Sequence, residues 1–325
     1  MPDLVTHVWF SQQAAAALPE EIAAKLRHEL YPYAAAGPDV WFPCGFYGGA
    51  DKALAPRGGH MHENETGPFL LALAERCRVS RERELLFPYL AGYLCHYCLD
   101  RTAHPYIIYR TGDYEGTPET LRYRGNHMRL ERAIDVWLIR HAYHTTPRRF
   151  NLCRRCLPLR RLPEGIREDL DAVYRQVYGW EDVWTALNRA VQDHRLLYWL
   201  LRDSTGVLNV LTKWTDNGRS GYDYRQFSYQ GRDLESSGID FLNLSHREWR
   251  NFADPSWVSA ESFPELAERA KKETVGLITI IYNYVYLKEE PPAPLKELLG
   301  NASYTSGLDC RDGKNPGPKV FDPLF

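Results

Sequence analysis

His96, Asp100 and His104 recur at every fourth position within an apolar, aromatic run from Leu94 to Tyr106. At helical pitch this spacing lines three side chains along one stripe about 80° wide. Two imidazoles and a carboxylate facing inward from one helix must pair with one another or bind something positive. Zinc accepts this mixture of nitrogen and oxygen ligands. His127, Glu131 and Asp135 repeat the same spacing and offer a second stripe.

His7, Asp39, and His60 or His62 complete the polar residues expected to face inward, with Asp135 as a spare. Taken singly, each has a duller reading: His7 as a packing histidine, Asp39 as a turn residue, His60 and His62 as solvated loop residues, and each helical pair as a buried hydrogen-bonded pair. Together they exceed the roughly three protein ligands of one catalytic zinc, and suit two or three ions sharing a carboxylate. The sequence holds no His-Glu-x-x-His, no Glu-x-x-His pair, no His-Asp dipeptide and no Gly-x-Ser-x-Gly. The corresponding metalloprotease, di-iron, phosphohydrolase and serine-hydrolase chemistries are thereby disfavoured.

Helices must position these groups. Ser11 to Ala36 reads as helix restarted at Pro19, and Gly37-Pro38 ends it before Asp39. The glycine-rich stretch from Pro43 to Gly67 reads as a long loop, and Pro68 to Arg76 as a helix. Pro105 disfavours helical backbone at His104, which places that residue near a helix end. Asn126 is a candidate N-cap for a helix through His144. Further amphipathic helices are expected over 163–178, 181–201 and 263–287, with a pattern-poor segment over 212–256. The predicted class is all-α, a multi-helical bundle with long loops. Residues 1–299 form the expected helical domain and 300–325 an extended tail.

The chain has 325 residues and a formal net charge of −2, which leaves no broad basic field for duplex nucleic acid. Arg154-Arg155 and Arg160-Arg161 read as solvated surface. Seven cysteines, an odd number, read as reduced thiols, with a zinc ribbon at Cys95-x-x-Cys98 and Cys153-x-x-Cys156 as the rival. No secretory leader and no bilayer-length apolar run is evident, so a cytoplasmic location is expected.

Thr6-His7-Val8-Trp9-Phe10, Gly37-Pro38-Asp39-Val40, Gly59-His60-Met61-His62, His96-Tyr97-Cys98-Leu99-Asp100, His104-Pro105-Tyr106 and His127-Met128-Arg129-Leu130-Glu131 occur in that order. The ordered set resembles the bacterial zinc-dependent phospholipase C family, whose fold is shared with fungal single-strand nucleases. The resemblance spans the chain to about Asp135, with a weaker continuation at His246-Arg247-Glu248-Trp249. It implies an all-α, phospholipase C-like bundle with a trinuclear-type metal cleft holding two to three Zn2+ ions, with His7, Asp39, His60 or His62, His96, Asp100, His104, His127 and Glu131 as ligands. It also implies that Asp100 bridges two ions, that His104, His127 and Glu131 hold one, and that Asp39 is a ligand or the general base.

The chain departs from the secreted members of that family at its start, where six residues precede His7 and none is the tryptophan that completes their third zinc site. A terminal amine at Pro2, once Met1 is removed, is the candidate replacement. The gap between Asp100 and His104 is also shorter than in those enzymes. The expected activity is metal-assisted hydrolysis of a small-molecule or lipid-head-group phosphoester. Trp41, Phe46 and Tyr47 are candidates to cradle a choline-like head group. A metal-stabilised binding protein without turnover and a single-strand nuclease are the alternatives.

Overall fold

The computed structural model describes residues 3–215, 228–229, 234–311 and 319–325. Helices α1 (Leu4–Ala17), α2 (Glu20–Lys25) and α3 (Leu30–Ala34) lead into a 3-10 turn at Gly37–Trp41. They are followed by α4 (Pro56–Glu63), α5 (Thr66–Val79), α6 (Arg83–Tyr109) and α7 (Leu121–His141). Next come α8 (Leu152–Arg155), α9 (Arg167–Tyr178), α10 (Val183–Leu201) and α11 (Val207–Thr215). After a short antiparallel ribbon, Trp249–Arg250 against Val258–Ser259, α12 (Phe263–Tyr282) and α13 (Leu295–Leu299) complete an all-α fold.

Helix α6 is the axis of the core. Every residue from Leu86 to Asp100 is buried, and α1, α3, α5 and α12 pack around it. A helix apolar on all sides has no solvent face to present, so it must run through the centre. Whatever polar groups it carries are therefore deep in the molecule.

Three sequence-based expectations are corrected here. Helix α6 does not end near His104 but continues through Pro105 to Tyr109. Pro105 withholds an N–H from the Arg101 carbonyl, and the C-terminal chain closes over that point: a Cβ on Gly307 would lie 2.5 Å from the Arg101 oxygen. Burial of the helix outweighs the lost bond. The stretch from Pro43 to Gly67 is not one loop. Pro56, with its fixed φ, opens α4, and Gly58 is tolerated within it because a Cβ would meet the Phe42 ring at 2.8 Å. Helix α7 starts at Leu121 and ends at His141, several residues before the expected span, with Asn126 inside it.

The chain after α13 is bound to the helices it crosses. Gly67 N–H donates to Asn301 Oδ1 (3.2 Å), Thr66 Oγ1 to the Ala302 carbonyl (2.8 Å), and the Ala302 N–H to Tyr97 Oη (3.0 Å). At the far end, Asp322 and Leu324 N–H donate to the carbonyls of Tyr109 and Arg110. Met1 and Pro2, with the proposed ligating amine, lie outside the described residues, as do much of 212–256 and residues 312–318 of the tail.

Gly67 is where this crossing tolerates least change, since an added Cβ would lie 1.6 Å from the Gly300 carbonyl oxygen. Gly67→Ala is expected to lower the unfolding free energy by about 1–3 kcal/mol, the usual range for overpacking a tight contact. Gly59→Ala, which meets open space, serves as the control. Equal urea midpoints for both variants would contradict the packing described.

Candidate metal centre

Four helices and one turn converge on a buried polar cluster. His7 comes from the second turn of α1, Asp39 from the 3-10 turn, and His62 from the last turn of α4. His96, Asp100 and His104 come from α6, and His127 and Glu131 from α7. The start of α1 is fixed from α7: Asp135 accepts the N–H groups of Val5 (3.0 Å) and Thr6 (2.8 Å), while Arg132 pairs with Asp3 at 2.7 Å. Burial, and then the Asp3 charge, pushes the Asp135 carboxyl up to about 8. Asp135 is thus spent on anchoring α1 at the two residues before His7, and the spare-ligand reading is corrected.

Three groups of side chains bring their ligand atoms within 4.8 Å of one another: His7, His96 and Asp100; Asp39, His62 and His96; His104, His127 and Glu131. Asp100 links them. Its Oδ1 lies 3.3 Å from His7 Nε2, and its Oδ2 lies 2.9 Å from His96 Nε2 and 3.8 Å from His62 Nε2. His62 Nε2 is 3.3 Å from Asp39 Oδ1. In the third group Glu131 Oε1 stands 2.7 Å from His127 Nε2 and 3.5 Å from His104 Nε2. The His7 and His96 rings stack at 4.1 Å and 18°.

Backbone carbonyls orient the imidazoles. His62 Nδ1 bonds the Gly58 carbonyl (2.7 Å), His96 Nδ1 that of Ala35 (3.0 Å), and His104 Nδ1 that of Tyr304 (2.8 Å). A carbonyl can only accept, so each of these Nδ1 atoms carries its proton and each Nε2 presents a lone pair to the cluster. Gly37 admits the His96 ring: a Cβ there would lie 2.4 Å from His96 Cγ, and its φ is +53°. The Tyr304 ring packs against His62 and His96. Tyr304, Gly37 and the two helix carbonyls escape a sequence reading because they act through backbone or shape.

The electrostatics fit a divalent cation. Burial alone would raise Asp100, but His96, His104 and His7 hold it well below the usual carboxylate range. Burial lowers His96, and takes His104 down to about 4. Burial also disfavours charge on His62, yet its bond to Asp39 more than offsets this and raises it. Ionised Asp100 beside neutral His96 and His104 is the protonation set a metal requires. Both ring nitrogens of His7, the Nε2 atoms of His62 and His96, Asp39 Oδ1 and both Asp100 oxygens are buried without a hydrogen-bond partner among the described residues. Such atoms are costly unless something positive meets them.

A family model described as zinc-dependent phospholipase C matches residues 6–180, more than half of the chain. The chain belongs to the zinc-dependent phospholipase C family. No curated protein and no solved structure matches it. The family match takes in every histidine and carboxylate of the cluster. His246, where a weaker continuation was expected, lies beyond it, half-exposed beside the Ala260 carbonyl.

His60 is the candidate ligand the structure sets aside. Positions 60 and 62 differ by about 200° on a helix, so His60 turns away towards Tyr178 and Trp180 while His62 reaches Asp39. Read as an extended loop, the segment leaves either histidine free to point inward; as helix α4 it turns only one of them to the cluster. No cysteine joins a metal-competent group among the described residues. Cys95 and Cys98 are buried thiols that burial pushes up to about 12 and about 11.

His62→Ala is expected to lower zinc content by about one equivalent with helical circular dichroism retained, and His60→Ala to lower it by none. Elemental analysis of the purified variants measures both. The reverse order would move the ligand to His60 and contradict the helical register of α4.

Proposed function

We propose that this protein is a zinc-dependent phosphoester hydrolase with phospholipase C-like activity, and that Asp39 serves as a ligand or as the general base. The observation that carries the reading is the set of partnerless nitrogen and oxygen atoms of Asp39, His62, His96 and Asp100, gathered from three separate elements. His7, His96 and Asp100 would hold one ion; Asp39 and His62, with His96 or Asp100, a second; His104, His127 and Glu131 a third. When bound, zinc supplies Lewis-acid activation of water and of the phosphoryl oxygens.

The chain's own groups account for the rest. Neutral imidazoles with few carboxylates leave the centre net positive, which draws a phosphate monoanion towards it. Asp39 is the carboxylate at the open edge, its side chain 16% exposed against none for Asp100. Burial pushes its carboxyl above the ordinary range, against the pull of His96 and His62. Phe42, half-exposed, places its ring 5.5 Å from His62, so the substrate side of the centre has an apolar wall. Trp41 is fully buried against Tyr174 and Trp180 and holds the turn that carries Asp39, so of the three aromatics expected at a head group only Phe46 and Tyr47 remain exposed.

The test is turnover of a chromogenic phosphodiester beside phosphomonoester and oligonucleotide substrates. The zinc-loaded protein is expected to hydrolyse the phosphodiester, to lose that activity on chelation and to regain it with zinc. Asp39→Asn is expected to lower kcat about 100-fold or more. A zinc-loaded protein that turns over none of the substrates would overturn the proposal, and one that acts on single-stranded oligonucleotide alone would replace it with the nuclease reading.

A further inference from the structure

Helix α10 carries a surface that the metal chemistry does not use. Its buried residues, among them Leu187, Ala190, Val191 and His194, face the core. On the opposite arc, residues one to two turns apart change character past Gln192: Leu196, Trp199 and Leu200 are all exposed, Trp199 by 61%. Val207 and Val210, on α11, are exposed as well. Contiguous apolar side chains in water mark a contact surface rather than random decoration.

Both flanks of that arc are occupied. On one side, Asp193 accepts the Gly45 N–H (2.8 Å) and the Tyr47 hydroxyl (3.0 Å), so the Phe46-Tyr47 tip lies against α10 beside the apolar stripe. This tip begins four residues after Phe42, the wall of the metal centre. On the other side, the segment 148–162 runs antiparallel to α10, with Arg148 Nε on the Ser204 carbonyl (3.1 Å), Cys153 Sγ on the Arg195 carbonyl (3.4 Å) and Leu162 N–H on Asn188 Oδ1 (2.8 Å). That segment carries Arg148-Arg149, Arg154-Arg155 and Arg160-Arg161 at six-residue intervals, all exposed, and residues 136–163 contain no Asp or Glu.

We propose that the outer face of α10, with the Phe46-Tyr47 tip and these arginine pairs, docks the protein on an anionic lipid surface. Charge complementarity selects this occupant: Arg161 pairs with Glu164 at 3.7 Å, while the other exposed arginines of a stretch that itself holds no Asp or Glu suit a phosphate-rich surface, and a tryptophan among leucines suits the interfacial layer. The Phe42 edge of the metal centre adjoins this face through the tip, so docking brings lipid phosphoesters to it. The proposal rests on the phosphoester reading for its purpose and not for its detection.

The test is co-sedimentation of the zinc-loaded full chain with vesicles of phosphatidylcholine alone or mixed with phosphatidylserine, alongside turnover of a soluble phosphodiester. Wild type is expected to bind the anionic vesicles, more weakly in high salt. Trp199→Ala and the triple variant Arg149→Glu/Arg154→Glu/Arg160→Glu are each expected to bind about tenfold more weakly, with soluble turnover unchanged. Vesicle binding by a protein without soluble turnover would uphold docking and overturn only the proposed activity. Soluble turnover without vesicle binding, or variants that bind as wild type, would overturn docking alone. A single-stranded oligonucleotide that binds in place of vesicles and is lost in the arginine variant would overturn it, as would a dimer in solution that Trp199→Ala converts to monomer.

Discussion

A carboxylate with no exposed surface sits in the middle of the most buried helix of the molecule, and the structure around it follows from that. Neither Asp100 oxygen has a hydrogen-bond partner among the described residues, and the carboxylate stands within 4 Å of four imidazole rings. Leaving such a charge unmet costs several kcal/mol. The elements that approach α6 here each bring an imidazole or a further carboxylate, and backbone carbonyls hold the Nδ1 atoms of His62, His96 and His104 so that their Nε2 atoms point inward. The need for positive charge is thus set by α6, and the groups that would hold a cation to meet it come from α1, the Gly37–Trp41 turn, α4 and α7.

Much of this was legible in the residues. The four-residue spacing along α6 and again along α7 is a helical property that survives into the structure unchanged, and it named His96, Asp100, His104, His127 and Glu131 together. The ordered motifs that resemble the zinc-dependent phospholipase C family anticipated the family match over residues 6–180. His7 and Asp39 were harder, because nothing in their own segments shows which way they face. Their placement depends on contacts more than 50 positions away in sequence, such as Asp135 on the start of α1 and His96 against the Ala35 carbonyl.

What escaped the sequence did so for physical reasons. Glycines at 58 and 59 argued for a loop, yet Pro56 and the Phe42 ring make the first of them a packing requirement within α4. Pro105 argued for a helix end, but a helix buried on all sides retains its geometry over one missing bond. Tyr304 lies about 200 residues from His104 in sequence, and it contributes a carbonyl, which every residue type possesses. The arginine pairs were visible but unplaced; α10 decides that they line one edge of an apolar face.

The central claim is that the three groups around Asp100 and Glu131 hold zinc. Anomalous diffraction at the zinc edge, from crystals of the zinc-loaded protein, addresses it directly. The account predicts peaks about 2.0–2.2 Å from the Nε2 atoms of His62, His96, His104 and His127 and from oxygens of Asp100 and Glu131. Peaks confined to cysteines or to exposed histidines such as His60, with none beside Asp100, would contradict it.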